Sequence, residues 1–427
     1  LQQKKLPKLA ARFGYALSMQ AQYDIAVVGA GAVGLSAAYK LSQQFPDAKI
    51  VVLEKEQGVS QHQTGRNSGV IHSGIYYKPG SYKARLCVAG RDEIVAFAQA
   101  HNIAHDVCGK IIVAVTEDEL PGLDKIFSHG TQNGLEKIKK IGEAEIRVIE
   151  PHCAGIAAIH VPYTGIIDYV GVCEKLAALI TQRPHNRVLT GHAVLGLRNE
   201  GGQYAIATNR GTFAARYLIS CGGLHSDRLA RMEGLRPSAR IVGFRGDYYE
   251  LTPAAHHKVR HLIYPVPNPN FPFLGVHFTR MVPSSIHPQG GVECGPNAVF
   301  TFKREGYDKT DFNLRDSLDA LGFSGTWRLF AKHWRHGLDE YRRAFSKPRF
   351  LNTLQRLIPS LTMDDITPGR AGVRAMALQP DGAMVDDFSF AETARSIHVL
   401  NAPSPAATAC LAIGSEIRDR AIKQFGL

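Results

Sequence analysis

Apolar and polar positions fall into distinct rhythms along this chain. Residues 23–28 (YDIAVV) and 49–53 (KIVVL) are short, nearly continuous apolar runs rich in β-branched side chains. That is the pattern of strands buried on both faces. Residues 35–45 between them read as a helix. Further amphipathic helices are predicted over 82–101, with Leu86, Ala89, Ile94, Phe97 and Ala98 on one face, and over 168–182, 310–357 and 408–425. Residues 117–134 also read as helical, with a turn at Pro121-Gly122. Strands are predicted at 109–116, 146–149, 159–162, 187–189, 193–198, 204–208 and 211–219. A β-branched and aromatic set follows at 241–251, 262–265, 273–279 and 291–303, separated by Gly and Pro clusters, and a last strand at 397–400. No internal repeat interrupts this order.

These elements predict an α/β architecture, α+β overall. A Rossmann-like domain is nucleated by strand, helix and strand at 23–53, and the strand at 211–219 returns to the same sheet. The nucleotide domain is then discontinuous (23–80, 150–235 and 365–427). An inserted substrate domain with an antiparallel sheet occupies 81–149 and 236–364.

The turn after the first strand carries Gly29, Gly31 and Gly34 in the spacing G-x-G-x-x-G. The first glycine allows the tight turn, the second admits a pyrophosphate, and the third lets helix and strand approach. The helix N-terminus then faces the phosphates. Glu54 ends the second strand, about twenty residues on, where a carboxylate accepts ribose hydroxyls. The polar, glycine-rich residues 57–80 are long for a connection and mark a functional loop. A second glycine turn, Cys221-Gly222-Gly223, follows the returning strand, and residues 368–374 and 401–408 form glycine- and proline-rich approaches near the end. One complete dinucleotide fingerprint holds either NAD or FAD. Several backbone approaches from distant turns favour FAD, with the protein supplying orientation and electrostatics.

Composition narrows the class. No eighteen-residue apolar run exists, so no transmembrane helix is expected. Seven scattered cysteines without a C-x-x-C pair argue against a disulfide framework and a zinc site. The net charge is +12, and Lys4, Lys5, Lys8 and Arg12 precede any acid. Residues 1–22 read as a targeting remnant or as a basic tail or scar. Within 310–357, Trp327, Phe330, Trp334, Leu338, Tyr341 and Phe345 make one face, interleaved with arginine and lysine. Such a helix docks on an anionic bilayer or rests on its own domain.

The blocks RNSGVIHSGIYY (66–77), PYTGIIDY (162–169), FRGDYY (244–249), IYPVP (263–267), FPFLGVHFT (271–279), GPNAV (295–299), FKREGY (302–307), AGVRA (371–375) and NAPSPAAT (401–408) carry a resemblance. They are similar to the L-2-hydroxyglutarate dehydrogenases, a group of D-amino-acid-oxidase-like FAD flavoproteins, from about residue 23 to 427. The resemblance implies FAD-dependent oxidation of L-2-hydroxyglutarate to 2-oxoglutarate. It also implies electron transfer to a separate acceptor, such as a quinone or an electron-transfer protein, and a mitochondrial, inner-membrane-associated location for eukaryotic members. A relative acting on an amine or on glycerol 3-phosphate is the alternative.

Oxidising a 2-hydroxy acid needs a base for the hydroxyl proton, an acceptor for the C2 hydride and a cation for the carboxylate. Arginine suits the last because its planar fork meets a carboxylate bidentately. Arg374 lies in AGVR, where related amine oxidases carry their carboxylate-binding arginine, and is the first choice for C1; Arg370 has a weaker case as a support for the loop. Lys303 and Arg304 are candidates for the distal carboxylate, or a solvated pair. His72 is the first candidate base, in the loop resembling the family's flavin-ring loop, where it could instead hydrogen-bond or attach to the flavin. His277 is the second. Tyr76 and Tyr264 are candidate donors or packed aromatics. Expected FAD contacts are Gly29, Gly31, Gly34, Glu54, Ser68, Gly69, Val194, Gly222, Ala371, Gly372, Ser404 and Ala406. Val194 rests on the family's habit of meeting adenine through backbone.

Overall fold

The computed structural model describes residues 19–268 and 275–427. The basic residues before 19, and residues 271–274 of the FPFLGVHFT block, lie outside the described residues.

The first sheet is built around the strand Met19–Val28. Ile50–Leu53 and Gly211–Ser220 run parallel on its two sides, placing Ile25 between Ile50 and Tyr217. Arg187–Leu189 continues the sheet beyond Ile50–Leu53, and Ser396–Asn401 joins Gly211–Ser220 in parallel. Gln203–Thr208 and Val194–Glu200 complete an antiparallel edge. Every position of Ile50–Leu53 is buried, which is why the run is continuously apolar. On one face the helices Ala32–Gln44, Tyr82–Ala100, Tyr169–Thr181 and Cys410–Phe425 bury Leu35, Ile94, Leu176 and Ile413 against Ile25, Val27 and Ile50. On the other, Leu197, Tyr204 and Ile206 close over Ala26, Val51 and Leu218.

The second sheet has nine strands. Its longest pair, Arg240–Leu251 and Ile366–Leu378, is antiparallel, with Gly246 opposite Gly372 and Phe244 opposite Arg374. Gly291–Gly295, His277–Met281, Leu262–Pro265, Lys110–Ala114 and Ala157–Val161 extend it in that order. Phe278 and Cys294 on one face meet Phe350 and Leu351 of the helix Lys347–Leu354. Ile112 and Tyr264 on the other meet Leu123 and Ile126 of the helix Leu120–Gln132.

The α/β class, the nucleotide sheet and the antiparallel sheet are as expected. Four details differ. Residues 146–149, expected as a strand, belong to the helix Glu143–Ile149. Glu143 and Glu145 sit in its first turn, where they favour helix through its dipole, and Glu145 accepts from the Gly142 N–H. Pro121 starts the helix Leu120–Gln132 rather than breaking it, since the first turn needs no N–H there. The 310–357 stretch divides into Leu314–Leu321, Ser324–Ala344 (kinked at His333) and Lys347–Leu354. Finally, Tyr82–Ala100 rests on the first sheet, whereas Ala157–Val161 and Ile366–Leu378 run in the second. The chain crosses between the sheets more often than the domain boundaries drawn from sequence allow.

Candidate active site

A cleft of about 1290 Å³ is lined from both sheets. At one end lies the turn after Met19–Val28. Gly29 has φ +103°, a left-handed conformation that L side chains resist, and a Cβ there would stand 2.5 Å from the Cys221 carbonyl oxygen. The two glycine turns therefore touch. A Cβ on Gly34 would stand 2.0 Å from the Gly29 carbonyl oxygen, so only glycine lets the helix sit this close. Gly31 caps the helix without a side chain; the Ala32 N–H donates to the Thr64 hydroxyl at 3.1 Å, and Val33 and Gly34 of the first turn line the cleft. The Glu54 carboxylate accepts from the N–H of Ala30 at 2.7 Å and of Glu56 at 3.0 Å, which fixes it at the cleft edge. Val194 and Gly222 line the same end. Open helix N–H groups, paired glycine turns and an oriented carboxylate fit the pyrophosphate and ribose of FAD.

The other end is made of side chains. The loop over residues 60–69 is tied to the strand Ile366–Leu378. Arg370 donates to the carbonyls of Gly65 (2.6 Å) and Asn67 (2.7 Å) and pairs with Glu293 (2.8 Å). Arg66 donates to the Ala371 carbonyl, and Gln63 accepts from the Ala375 N–H. A Cβ on Gly372 would stand 2.3 Å from the Arg66 carbonyl oxygen. Arg370 is thus the support for the loop.

Arg374, two residues beyond Gly372 on the same strand, lines the cleft and donates to the Asn297 carbonyl at 3.3 Å. Burial lowers its pKa. His72 and His277 line the same wall. The His277 Nδ1–H donates to the Gly275 carbonyl at 3.1 Å, so its lone pair sits on Nε2 when the ring is neutral. Its ring lies on Tyr264, centroids 4.1 Å apart. His72 Nε2 faces the Ser404 hydroxyl at 3.3 Å, and its backbone N–H donates to Thr408. Burial first, then neighbouring cations, holds both imidazoles down to about 3. Both are neutral, proton-accepting groups near neutrality.

Most predicted residues converge. Ser68, Gly372, Ser404, Ala406 and Tyr264 line the cleft with the glycines, the two histidines and Arg374. Gly69 and Ala371 shape the wall through their backbones, Gly69 at φ +66°. Tyr76 lies just outside, its ring on the Lys110 ammonium.

Two candidates for the distal carboxylate are corrected. Arg304 is buried in an ion-pair network with Asp227 and Asp319, 2.7 Å from the latter, and donates to the Leu224 carbonyl. A buried guanidinium needs those partners, so it is committed to structure. Lys303 points to Asp311 at 2.9 Å. Neither lines the cleft.

Two residues were not anticipated. Tyr248 lines the cleft, pushed up to about 12 by burial against the opposing pull of Arg374. The alternation of the FRGDYY strand was the available signal. Lys110, buried between Tyr76 and Tyr264, carried a weaker one: a lysine opening an otherwise wholly apolar strand.

The chain matches the FAD dependent oxidoreductase family model over residues 24–420. It is 45% identical to an L-2-hydroxyglutarate dehydrogenase of Indibacter alkaliphilus over 94% of this chain and 100% of that one. It is 42% identical to the mitochondrial L-2-hydroxyglutarate dehydrogenase of Homo sapiens over 95% of this chain and 90% of that one. It is 43% identical to the Escherichia coli K12 enzyme of the same name over 92% of each. Among solved structures, the fold is shared with an FAD-bound L-alpha-glycerophosphate oxidase of Mycoplasma pneumoniae (TM-score 0.75, 21% identity, 94% and 95% coverage). A glycine oxidase of Geobacillus kaustophilus also shares it (TM-score 0.66, 16% identity, 93% and 95% coverage). With a glycine cradle at one end of the cleft and a cationic, imidazole-bearing wall at the other, the chain belongs to the FAD-dependent oxidoreductases and, within them, to the L-2-hydroxyglutarate dehydrogenase family.

Proposed function

We infer that this protein oxidises L-2-hydroxyglutarate to 2-oxoglutarate. The observation that carries the reading is the placement of Arg374 beside His277 in a wall of the cleft whose far end fits a dinucleotide. FAD, when bound, supplies the acceptor for the substrate's C2 hydride. Gly29, Gly31, Gly34 and Glu54 would hold its pyrophosphate and ribose. Ser68, Gly372, Ser404 and Ala406 would meet the rest, with Val194 and Gly222 beside the nucleotide. Arg374 grips the C1 carboxylate with a planar fork, in surroundings that exclude water and so strengthen the contact. His277 Nε2 is positioned to take the hydroxyl proton, because Nδ1 is already committed as a donor to Gly275. His72 is the second imidazole on that wall, and Tyr264 orients His277 through ring contact.

The test is anaerobic bleaching of the flavin absorbance by a panel of L- and D-2-hydroxy acids, sarcosine and glycerol 3-phosphate. Fastest bleaching by L-2-hydroxyglutarate is expected; faster bleaching by sarcosine or glycerol 3-phosphate would replace this reading by the amine or glycerol phosphate one.

Electrons leave for a separate acceptor, a quinone or an electron-transfer protein. Trp327, Trp334, Leu338 and Phe345 are exposed on or beside the helix Ser324–Ala344, interleaved with Lys332, Arg335, Arg342 and Arg343. This basic, aromatic face supports peripheral contact with an anionic membrane. No helix among the described residues is long and apolar enough to cross one. The acid-free basic residues at 4–12 support a mitochondrial address, with the inner membrane as the surface met. Flotation with cardiolipin vesicles at low salt tests the contact; protein remaining in the bottom fraction would remove it.

A further inference from the structure

Lys110 is a deeply buried cation. It is 1% exposed at the start of the strand Lys110–Ala114, between Val161 and Leu262 of the neighbouring strands. Other deeply buried cations sit in ion pairs, Arg304 with Asp227 and Asp319 and Arg245 with Asp247. Among the described residues, no carboxylate pairs with Lys110. Its ammonium instead lies 4.6 Å from the ring centroids of both Tyr76 and Tyr264. Aromatic faces attract a cation, yet they offset only part of its desolvation. An ammonium kept in such a place beside a cleft is a signal of function.

Tyr264 connects it to the cleft. One aromatic ring meets the Lys110 ammonium and the His277 imidazole alike, so cation, phenol and imidazole form a continuous chain of contacts. The far end of that chain is fixed by the His277 Nδ1–H bond to Gly275. The titratable and charged groups facing the cluster are His72, Arg374 and Tyr248 on the cleft side and Cys87, Tyr76, Tyr77 and Cys108 around Lys110 and Tyr264.

Building on the function inferred above, we propose that Lys110 is a positioning residue that acts through Tyr264 to hold His277 in its neutral, Nε2-accepting orientation, its positive charge opposing a second proton on either cleft imidazole. The titration behaviour agrees with that geometry. Burial draws Lys110 down to about 7. Its charge therefore builds up over the range in which an ordinary imidazole would become protonated. His72 and His277 both feel it.

The experiment uses the flavin-loaded protein with Lys110→Met, Lys110→Arg and Tyr264→Leu. The readout is kcat/KM for L-2-hydroxyglutarate from about pH 2.5 to about pH 9, where the acid limb reports protonation of the base. Lys110→Met is expected to move that limb up by about one pH unit, with the visible flavin spectrum retained. Lys110→Arg, permanently charged, returns it toward the parent position. Tyr264→Leu gives the same upward shift by breaking the ring contact, and decides the matter if Lys110→Met does not fold. Uniform loss of activity with an unmoved limb overturns the proposal, because burial alone would then be holding the imidazoles neutral. Failure of the parent protein to oxidise L-2-hydroxyglutarate would count against the inferred function instead. The limb would then be read with whichever hydroxy acid or amine reduces the flavin.

Discussion

The two ends of the cleft are built from different materials. At the glycine end the groups facing the cavity are mainly backbone, held by Gly29, Gly31 and Gly34 and by one carboxylate with both oxygens engaged. At the other end they are side chains: one guanidinium, two imidazoles and two tyrosines, several of them titratable and shifted by burial. Backbone amides hold their charge distribution at every pH and can be disturbed only by steric intrusion. Titratable side chains in a low-dielectric wall respond to pH and to each other. One end should therefore fail through shape and the other through charge.

The largest effect expected is at the first. Gly34→Val places a side chain where the Gly29 carbonyl already lies, so purified protein should carry no flavin and show no turnover. A yellow preparation with more than about a tenth of the parent flavin content would break the contrast.

Arg374→Leu should do the opposite: flavin retained, kcat/KM reduced about a thousandfold or more, from loss of a charged hydrogen-bonding partner in a buried site. Loss of flavin with loss of activity would show that the guanidinium serves the cofactor.

Arg304→Leu sharpens the boundary of the site. Removing it takes the buried guanidinium from Asp227, which keeps Arg231, and from Asp319, which keeps Arg228, Arg231 and Arg240, so stability should fall by about 1–3 kcal/mol in urea unfolding. KM for the substrate should stay within about threefold, as expected for a residue outside the cleft.

The remaining effect is on stability against pH. His72 and His277 titrate near 3 in the fold against 6.5 unfolded, so the folded state binds fewer protons in between. Their contribution is present in full above about pH 6.5 and is lost as pH falls toward 3. Thermal unfolding should show that decline, and His277→Asn should flatten part of it; an unchanged slope would mean that this ring is already solvated.

The same division explains what could be read from the chain before folding. The glycine end is encoded within about thirty residues, so spacing alone located Gly29, Gly31, Gly34 and Glu54. The charged wall is assembled by strand register over long separations. Arg374 and His277 were reached through block resemblance. Lys303 and Arg304 were misassigned because Asp227, Asp311 and Asp319, which engage them, announce nothing locally. Lys110 opens an otherwise apolar strand, and nothing beside it in the sequence supplies its surroundings. Only the pairing of its strand with Leu262–Pro265 and the crossing of Tyr264 enclose it.

The stitches made by Arg370 join the carbonyls of Gly65 and Asn67 to a strand 305 and 303 residues later in the chain. During synthesis the early glycine turn emerges long before this arginine does. The loop lacks these stitches until the last strands have left the ribosome. Cofactor capture is thereby placed at the end of biogenesis, and a chain interrupted shortly before residue 366 would keep the fingerprint yet leave the ribosome as a permanent apoprotein.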